Sequence, residues 1–446
     1  MKYYLFIDNF RGFKDTFVPI TNVNFLVGEN STGKTSILGL IKLFSGPQFL
    51  MRPRQAGFGD DHVKFGNFSD MVSRHSTDHS CFHIGSIRQK GADKQHEQQT
   101  IGSLYTFVEE MGLPFLSCFT FCQGSQKLSL RFRGDRIRFK LETYPTSPTI
   151  ENLVAKLMPE WKQEHLDTSS NSFDKLDIGG LPSGIPLLVI LGLLGSISDS
   201  ASSRSDKVKK AELTLPSPDI FGDQVVWVAP IRTKPQRIYD EVTAEFSPDG
   251  THTPFLIRRT LRSNKTAVRF RNSIRKIGKS SGLFEDVLIK NHGRETAAPF
   301  EVDIVLDDEP LNLSTVGYGV SQSLPVLVEV LQRSHGSSFA IQQPEVHLHP
   351  RAQAALGDMF FEMAAVEHKR FLIETHSDFT IDRFRMGYKA ERRYKPESQI
   401  LFFERRDKHN VVTPLSISES GELPADQPES YREFFVHEGI RLLSVG

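Results

Sequence analysis

The sequence predicts an α/β fold with a mainly parallel core sheet, an antiparallel β lobe and a helical insertion. Near the N-terminus, the apolar run Asn22 to Val27 leads into a glycine-containing loop and then into an apolar helix pattern. The final third alternates apolar strands with helices, which is typical of parallel strands covered by helices. These elements are strands Phe300 to Leu306, Ser338 to Gln342 and Arg370 to Glu374, and helices from about Gly319 to Arg333 and from Arg351 to Ala365.

The segment between the two core parts has a different pattern. Apolar and polar residues alternate between Cys81 and Tyr144, as they do in antiparallel strands. The clearest case is a hairpin in which Leu128, Leu130 and Phe132 are answered by Ile137, Phe139 and Leu141 across Gly134-Asp135. We therefore predict four segments: 1–75 and 223–446 as the two parts of the core, 76–149 as the β lobe, and 150–222 as a helical insertion.

The cysteines and the apolar runs indicate the cellular compartment in which we expect the protein. Cys81, Cys118 and Cys122 contain no C-x-x-C pair and form no disulfide framework, which favours a reducing, cytoplasmic compartment. The most apolar stretch, Ile185 to Gly195, is about half of a membrane span. We expect a buried helix there and no membrane partner.

The loop Gly28 to Thr35, read GENSTGKT, matches the phosphate-binding pattern G-x-x-x-x-G-K-[ST]. Its glycines allow a tight turn with backbone amides directed at phosphate oxygens, and the following helix adds a positive dipole end. Lys34 supplies a charge for the phosphates, and the Thr35 hydroxyl is a ligand for Mg²⁺. The predicted nucleotide-binding residues are Gly28, Asn30, Ser31, Thr32, Gly33, Lys34, Thr35 and Ser36.

A second candidate group follows the strand Ser338 to Gln342. A nucleotide hydrolase needs one residue there for metal-bound water and another for the attacking water. We assign Gln342 to the metal, and Gln343 and Glu345 to catalysis. His347 and His349 leave a zinc site as an alternative, although Glu345 is their only partner of suitable type nearby.

Two further segments complete the candidate site. His376 follows the strand Arg370 to Glu374, and polar residues at the ends of parallel strands lie at the ligand-binding edge. We expect His376 to contact the γ-phosphate. Gly317, Gly319, Ser321 and Gln322 precede an apolar helix and form a second phosphate cradle or a simple helix cap.

Charge is balanced over the whole chain, with 54 basic and 54 acidic side chains, so any electrostatic preference is local. Residues 250–284 contain no Asp or Glu but carry nine Lys and Arg residues between Arg258 and Lys279. This segment could bind DNA phosphates or an acidic partner, or it could be a solvated helix surface.

Taken in order, GENSTGKTS, GYGVSQ, QQPEVHLHP and ETHSD resemble the motifs of ABC-type ATPases of the RecF, SMC and OLD group. They look most like the stand-alone AAA15/AAA21-type ATPases of bacterial antiphage defence systems such as Septu and PARIS. The resemblance implies a head-to-head dimer that sandwiches ATP and Mg²⁺. In it, Gly319, Ser321 and Gln322 would contact ATP bound to the other protomer, His376 would be the switch histidine, and His347 to Pro350 would join the heads.

The sequence departs from this family at Gln342 and Gln343, where acidic residues are usual. Loss of two negative charges beside Mg²⁺ predicts slow turnover unless Glu345 substitutes. The leading hypothesis is a dimeric defence ATPase that controls a separate nuclease or toxin chain. The alternatives are a non-hydrolysing, ATP-dependent scaffold and a RecF-like DNA repair ATPase.

Overall fold

The computed structural model describes residues 3–45, 49, 58–59, 63–90, 99–133, 136–143, 148–167, 173–176, 187, 189–190, 225–240, 245–295 and 297–433. The chain forms two compact units. Unit 1 comprises Met1–Thr21, Asn30–Gln224 and Phe403–Val412, and unit 2 comprises Asn22–Glu29, Val225–Phe402 and Thr413–Gly446. Most of the predicted helix at residues 185–195, and the predicted Gly134-Asp135 turn, lie outside the described residues.

The strands, in chain order, are β1 Tyr3–Asp8, β2 Thr16–Ile20, β3 Val23–Gly28, β4 Cys81–Lys90, β5 Gln99–Glu110, β6 Leu113–Gln123, β7 Gln126–Arg133, β8 Arg136–Thr143, β9 Asp174–Leu176, β10 Val226–Val228, β11 Asp286–Asn291, β12 Phe300–Leu306, β13 Glu309–Asn312, β14 Ser338–Gln342, β15 Arg370–Glu374, β16 Ser398–Arg406 and β17 His409–Ile417.

The helices are α1 Lys34–Phe44, α2 Phe68–Met71, α3 Ile150–Asn152, α4 Met158–Leu166, α5 Thr253–Arg262, α6 Asn264–Ser281, α7 Tyr318–Gln332, α8 Pro350–Glu367 and α9 Asp378–Met386. A π-helical turn, Leu153–Leu157, joins α3 to α4. Two 3₁₀ turns lie at Leu313–Thr315 and Gly387–Lys389. Among the described residues, no helix is both long and apolar enough to cross a membrane.

Unit 1 contains an eight-stranded sheet in the order β2-β1-β4-β5-β6-β7-β8-β9. Each pair of neighbours is antiparallel. The predicted hairpin register is confirmed, because Leu128 pairs with Leu141, Leu130 with Phe139 and Phe132 with Ile137.

Strand pairing crosses the predicted boundaries at residues 75 and 149. The N-terminal strand β1 pairs with β4, and β9 pairs with β8, so strands from three predicted segments share one sheet. The helical stretch 150–166 packs Leu153, Met158 and Trp161 onto Ile87 and Leu104 of that sheet. The sheet extends beyond 76–149 because β1 supplies a partner for the edge of β4, which would otherwise carry unpaired backbone groups.

Unit 2 contains the parallel core predicted from the alternation of strands and helices. Strands β10, β14, β15 and β3 are adjacent and parallel, and the six-stranded order is completed by β16 and β17. Buried aromatic residues line this core, with Phe339 of β14 stacked on Phe371 of β15 at 5.3 Å between ring centroids. The predicted bounds of β14 and β15 agree with the structure residue for residue.

The placement of Phe300 to Leu306 in the parallel core was wrong. This strand forms, but it is the centre of a separate antiparallel sheet, β11-β12-β13. The reason is the two-residue turn Asp307-Asp308, in which both residues have positive φ values of 51° and 63°. Such a turn returns the chain directly alongside itself and excludes a parallel crossover.

A chain of buried polar side chains runs beneath the sheet of unit 1. The Thr106 hydroxyl lies 2.8 Å from Nδ1 of His83 and 2.6 Å from Nδ1 of His165, and Nε2 of His165 lies 2.7 Å from the Thr120 hydroxyl. Burial lowers the pKa of His83 to about 4 and holds the pKa of His165 well below its ordinary value. Both histidines therefore stay neutral in the folded chain at neutral pH.

This burial predicts that unit 1 loses stability in acid. The unfolded chain takes up protons on these imidazoles as pH falls through about 6.5 while the folded chain does not, so protonation favours unfolding. His165→Gln should reduce the slope of unfolding free energy below that pH by up to about 1.4 kcal/mol per pH unit. The slope is measured by urea unfolding between pH 7.5 and 5.

Trp161 fluorescence reports unit 1 alone in a Trp227→Phe background, because the chain has two tryptophans and Trp227 belongs to unit 2. His79→Gln is the control, since that side chain is exposed in the folded chain as well as in the unfolded one. Equal slopes for wild type and His165→Gln would contradict the prediction.

Candidate nucleotide site

Three predicted site residues of unit 2, Gln342, Gln343 and His376, lie at one edge of its sheet. β14, β15 and β3 are adjacent and parallel, so their carboxyl ends meet at the same edge. Gln342 pairs in register with Glu374, and the phosphate loop begins at Gly28, the last residue of β3. This edge is where α/β sheets bind their ligands.

The phosphate loop has the backbone that its sequence predicts. Gly28, Ser31 and Gly33 have φ values of 137°, 64° and 97°, and α1 begins at Lys34 directly after Gly33. The first turn of α1 contains no acidic residue. The Lys34 side chain is buried, at 4% exposure, whereas Thr35 is exposed.

Residues distant in sequence support this loop within unit 1. A Cβ on Gly33 would lie 2.4 Å from the Phe13 ring and 3.1 Å from Nδ2 of Asn410. That Asn410 amide donates to the Arg11 carbonyl at 2.9 Å, and Nη2 of Arg405 donates to the Ser31 carbonyl at 3.0 Å. Sequence reasoning missed these supports, because only the fold brings β17 and the β1–β2 turn to the loop.

Gln342 is held by a carboxylate that sequence reasoning also missed. Its Nε2 donates to Oε2 of Glu374 at 3.0 Å, and both residues are 6% exposed. The next residue, Gln343, has a left-handed φ of 43°, and its N–H donates to the Glu374 carbonyl at 2.8 Å. Backbone strain of this kind costs about 1–3 kcal/mol and needs support from its surroundings.

Glu345 and His376, both predicted for the site, lie next to each other. Oε1 of Glu345 accepts the backbone N–H of His376 at 2.7 Å, while the His376 residue is exposed. Oε2 of Glu345 is buried and makes no hydrogen bond within the described residues. Burial raises the pKa of Glu345, against the opposing effects of the His376 N–H and the Arg232 charge.

The predicted second phosphate cradle, residues 317–322, is only partly accessible. The Ser321 hydroxyl donates to the Tyr318 carbonyl at 3.1 Å, and Nε2 of Gln322 donates to the Arg232 carbonyl at 3.3 Å. Both side chains are buried, whereas Gly317 and Tyr318 are exposed. Access to another molecule is therefore through the backbone at residues 317–319 rather than through these two side chains.

The histidines after β14 have structural contacts. His347 lies against the Tyr318 ring at 5.6 Å between ring centroids, and Nδ1 of His349 accepts the Ala352 N–H at the start of α8. The described part of the chain contains no group of three His, Cys, Asp or Glu residues arranged to hold a metal ion.

The comparison with protein families decides the class of this chain. The sequence matches the AAA ATPase domain family, AAA_15, over residues 1–175 and 230–381. The chain belongs to this family. It is therefore an ATPase. No protein of curated function matches this AAA ATPase at a significant level.

Solved structures with a similar fold share 11% identity with this AAA ATPase. The SMC head domain from Thermotoga maritima matches over 93% of this chain and 98% of its own, with a TM-score of 0.37. The Pyrococcus furiosus Smc head, with a coiled coil and bound to the C-terminal domain of ScpA, matches over 100% and 99%, with a TM-score of 0.38. The recombination mediator protein RecF matches over 92% and 98%, with a TM-score of 0.31.

The basic segment of the AAA ATPase uses part of its charge internally. Arg258 is buried and donates to Oδ1 of Asn291 at 3.0 Å. Arg269 pairs with Glu367, and Arg275 donates to Asp286 at 2.6 Å. Nη2 of Arg262 donates to the same Asn291 oxygen at 3.3 Å. Within the described residues, at least four of the nine positive charges are thus engaged in unit 2, which leaves fewer for DNA than the sequence predicted.

The close packing at Gly33 predicts a specific defect. Gly33→Ala should weaken ATP binding by about tenfold or more, because its Cβ meets the Phe13 ring and displaces the loop. Gly112→Ala is the matched control in unit 1, since its φ is 78° but its Cβ meets nothing within 4 Å. Both changes cost left-handed strain of about 1 kcal/mol.

Affinity is measured with a fluorescent ATP analogue, together with the melting temperature of each variant. Equal losses of affinity in the two variants would show that strain alone, not contact with Phe13, explains the effect.

Proposed function

We propose that this AAA ATPase is a subunit of a bacterial antiphage defence system that dimerises around ATP and controls a separate nuclease or toxin chain. The observation that carries the ATPase part is the Glu345 carboxylate, held by the His376 N–H at the sheet edge where the phosphate loop begins. The defence role rests on the order of the four motifs in the sequence.

The residues of the chain fit Mg²⁺ and ATP. The helix α1 offers its N-terminal amides and Lys34 without an acidic residue in the first turn, a combination suited to phosphate. Thr35 offers an exposed hydroxyl, and Gln342 offers an amide oxygen, as ligands for the metal. When bound, Mg²⁺ neutralises charge on the phosphates during transfer.

The other residues then have separate tasks. Glu345 orients the attacking water and accepts its proton, a task for which a raised pKa makes the carboxylate a stronger base. Gln343 hydrogen-bonds the same water, and His376 contacts the γ-phosphate. Gly317 and Gly319 contact the ATP of a second protomer through the accessible backbone of residues 317–319, and Ser321 and Gln322 support that segment from within unit 2.

Turnover is slow in this proposal, because Gln342 and Gln343 are neutral where acids would strengthen the metal site. The same observation favours a second candidate function, an ATP-dependent scaffold that binds ATP without hydrolysing it. The two functions differ in whether phosphate is released, although both require a dimer that depends on ATP.

A phosphate-release assay distinguishes the ATPase from the scaffold. Wild type should release phosphate at a rate that Lys34→Ala abolishes, and Glu345→Gln should lower the rate by about tenfold to a hundredfold while retaining ATP. Glu391→Gln, at an exposed position outside the site, is the control. Light scattering should show a dimer with ATP and Mg²⁺, accumulating most in Glu345→Gln.

Equal rates for wild type and Lys34→Ala, with ATP bound by wild type, would favour the scaffold. A Glu345→Gln rate equal to that of wild type would exclude Glu345 as the base. A monomer under all conditions would contradict the ATP sandwich.

A further inference from the structure

Arg232 is a buried charge within an exposed loop. It follows β10 in the segment APIRTK, where Ile231 is 83% exposed and Thr233 and Lys234 also face solvent. Arg232 itself is 4% exposed. Burial of a guanidinium costs several kcal/mol unless partners compensate it, so the inward orientation calls for an explanation.

The hydrogen-bond partners of the guanidinium are two carbonyls, one at the end of β14 and one on the next residue. Nη2 donates to the Gln342 carbonyl at 3.0 Å and to the Gln343 carbonyl at 3.4 Å. The positive charge of Arg232 and the carboxylate of Glu345 also attract each other electrostatically. Gln343 is the strained residue at this position, and a single nitrogen that donates to the carbonyls of Gln342 and Gln343 fixes its backbone.

These contacts compensate the buried charge of Arg232 only in part. Nε and Nη1 of Arg232, and Oε2 of Glu345, are buried and form no hydrogen bond within the described residues. Each buried donor or acceptor without a hydrogen bond costs about 1–3 kcal/mol, and more when it is charged. Buried groups that carry this cost are typical of functional sites.

The backbone of Arg232 contacts α7. The Arg232 carbonyl accepts Nε2 of Gln322, which is 5% exposed on α7. One residue thus contacts both the segment predicted to face a second protomer and the residues predicted to handle water.

We propose that Arg232 is a positioning residue for ATP hydrolysis, which holds Gln343 and Glu345 in place and connects them to the start of α7. This inference rests on the proposed ATPase function. It assigns Arg232 no contact with ATP, so loss of the side chain should affect the rate of hydrolysis and leave ATP binding nearly unchanged.

The test compares Arg232→Gln and Arg232→Lys in the full chain, with Arg237→Gln as an exposed control in the same loop. Steady-state phosphate release gives kcat and KM for each variant. We expect Arg232→Gln to lower kcat by about tenfold or more with KM changed less than about threefold. Lysine keeps the charge but not the planar guanidinium, so Arg232→Lys should recover part of the loss.

A double-mutant comparison tests whether Arg232 acts through Glu345. Glu345→Asp keeps a carboxylate but displaces it, so adding Arg232→Gln to Glu345→Asp should lower kcat by less than about twofold further. Losses that multiply fully would overturn the inference, as would a kcat for Arg232→Gln within about twofold of wild type.

Stability is followed by melting temperature. If Arg232→Gln does not fold, Arg232→Lys decides: a reduced kcat at unchanged KM supports the inference, and wild-type kinetics overturn it. Failure of the ATPase proposal gives a different result, namely equal rates for wild type and Lys34→Ala. A Lys34-dependent rate that is indifferent to Arg232 contradicts only the positioning role.

Discussion

The hydrogen bond between the Gln342 amide and the Glu374 carboxylate joins the ends of β14 and β15, and the candidate catalytic residues of unit 2 depend on it. The Gln343 N–H donates to the Glu374 carbonyl, and Arg232 donates to the Gln342 carbonyl. Two residues after Glu374, the His376 N–H holds Glu345. A change in the spacing of these strand ends would move each of these groups.

This arrangement explains how an edge with few acids can still serve an ATPase. The amide of Gln342 compensates the buried Glu374 carboxylate, which would otherwise be costly to hold in the interior. Arg232 opposes the effect of burial on Glu345. The edge therefore keeps two carboxylates close to the strand ends, but neither stands at the end of β14, where the resemblance to related ATPases places them.

The sequence predicted the elements of the core better than their neighbours. β14 and β15 were predicted with their observed bounds, because a short apolar run between polar residues is distinctive. Glu345 and His376 were proposed as site residues because both follow parallel strands, but the hydrogen bond between them was not predicted. β12 was placed in the wrong sheet, because its pattern does not show whether a turn or a crossover follows it. The turn Asp307-Asp308 decides that.

The residues missed at the site were missed for a physical reason. Glu374 lies within an apolar strand, and its role depends on the register that sets it beside Gln342. Arg232 looks like any charged loop residue until the fold buries it. Phe13 and Asn410 support Gly33 from remote parts of the chain. The sequence shows periodicity and local motifs, but it does not show how strands distant in the chain are paired.

The most direct test exchanges Gln342 and Glu374, the two residues whose hydrogen bond joins the ends of β14 and β15. Gln342→Glu alone sets two buried carboxylates together, and it should lower the melting temperature without Mg²⁺ by several degrees, as a loss of about 2 kcal/mol would. The double variant Gln342→Glu/Glu374→Gln restores one amide and one carboxylate. It should recover most of the melting temperature that Gln342→Glu loses. A double variant whose losses equal the sum of the two single variants would contradict the account.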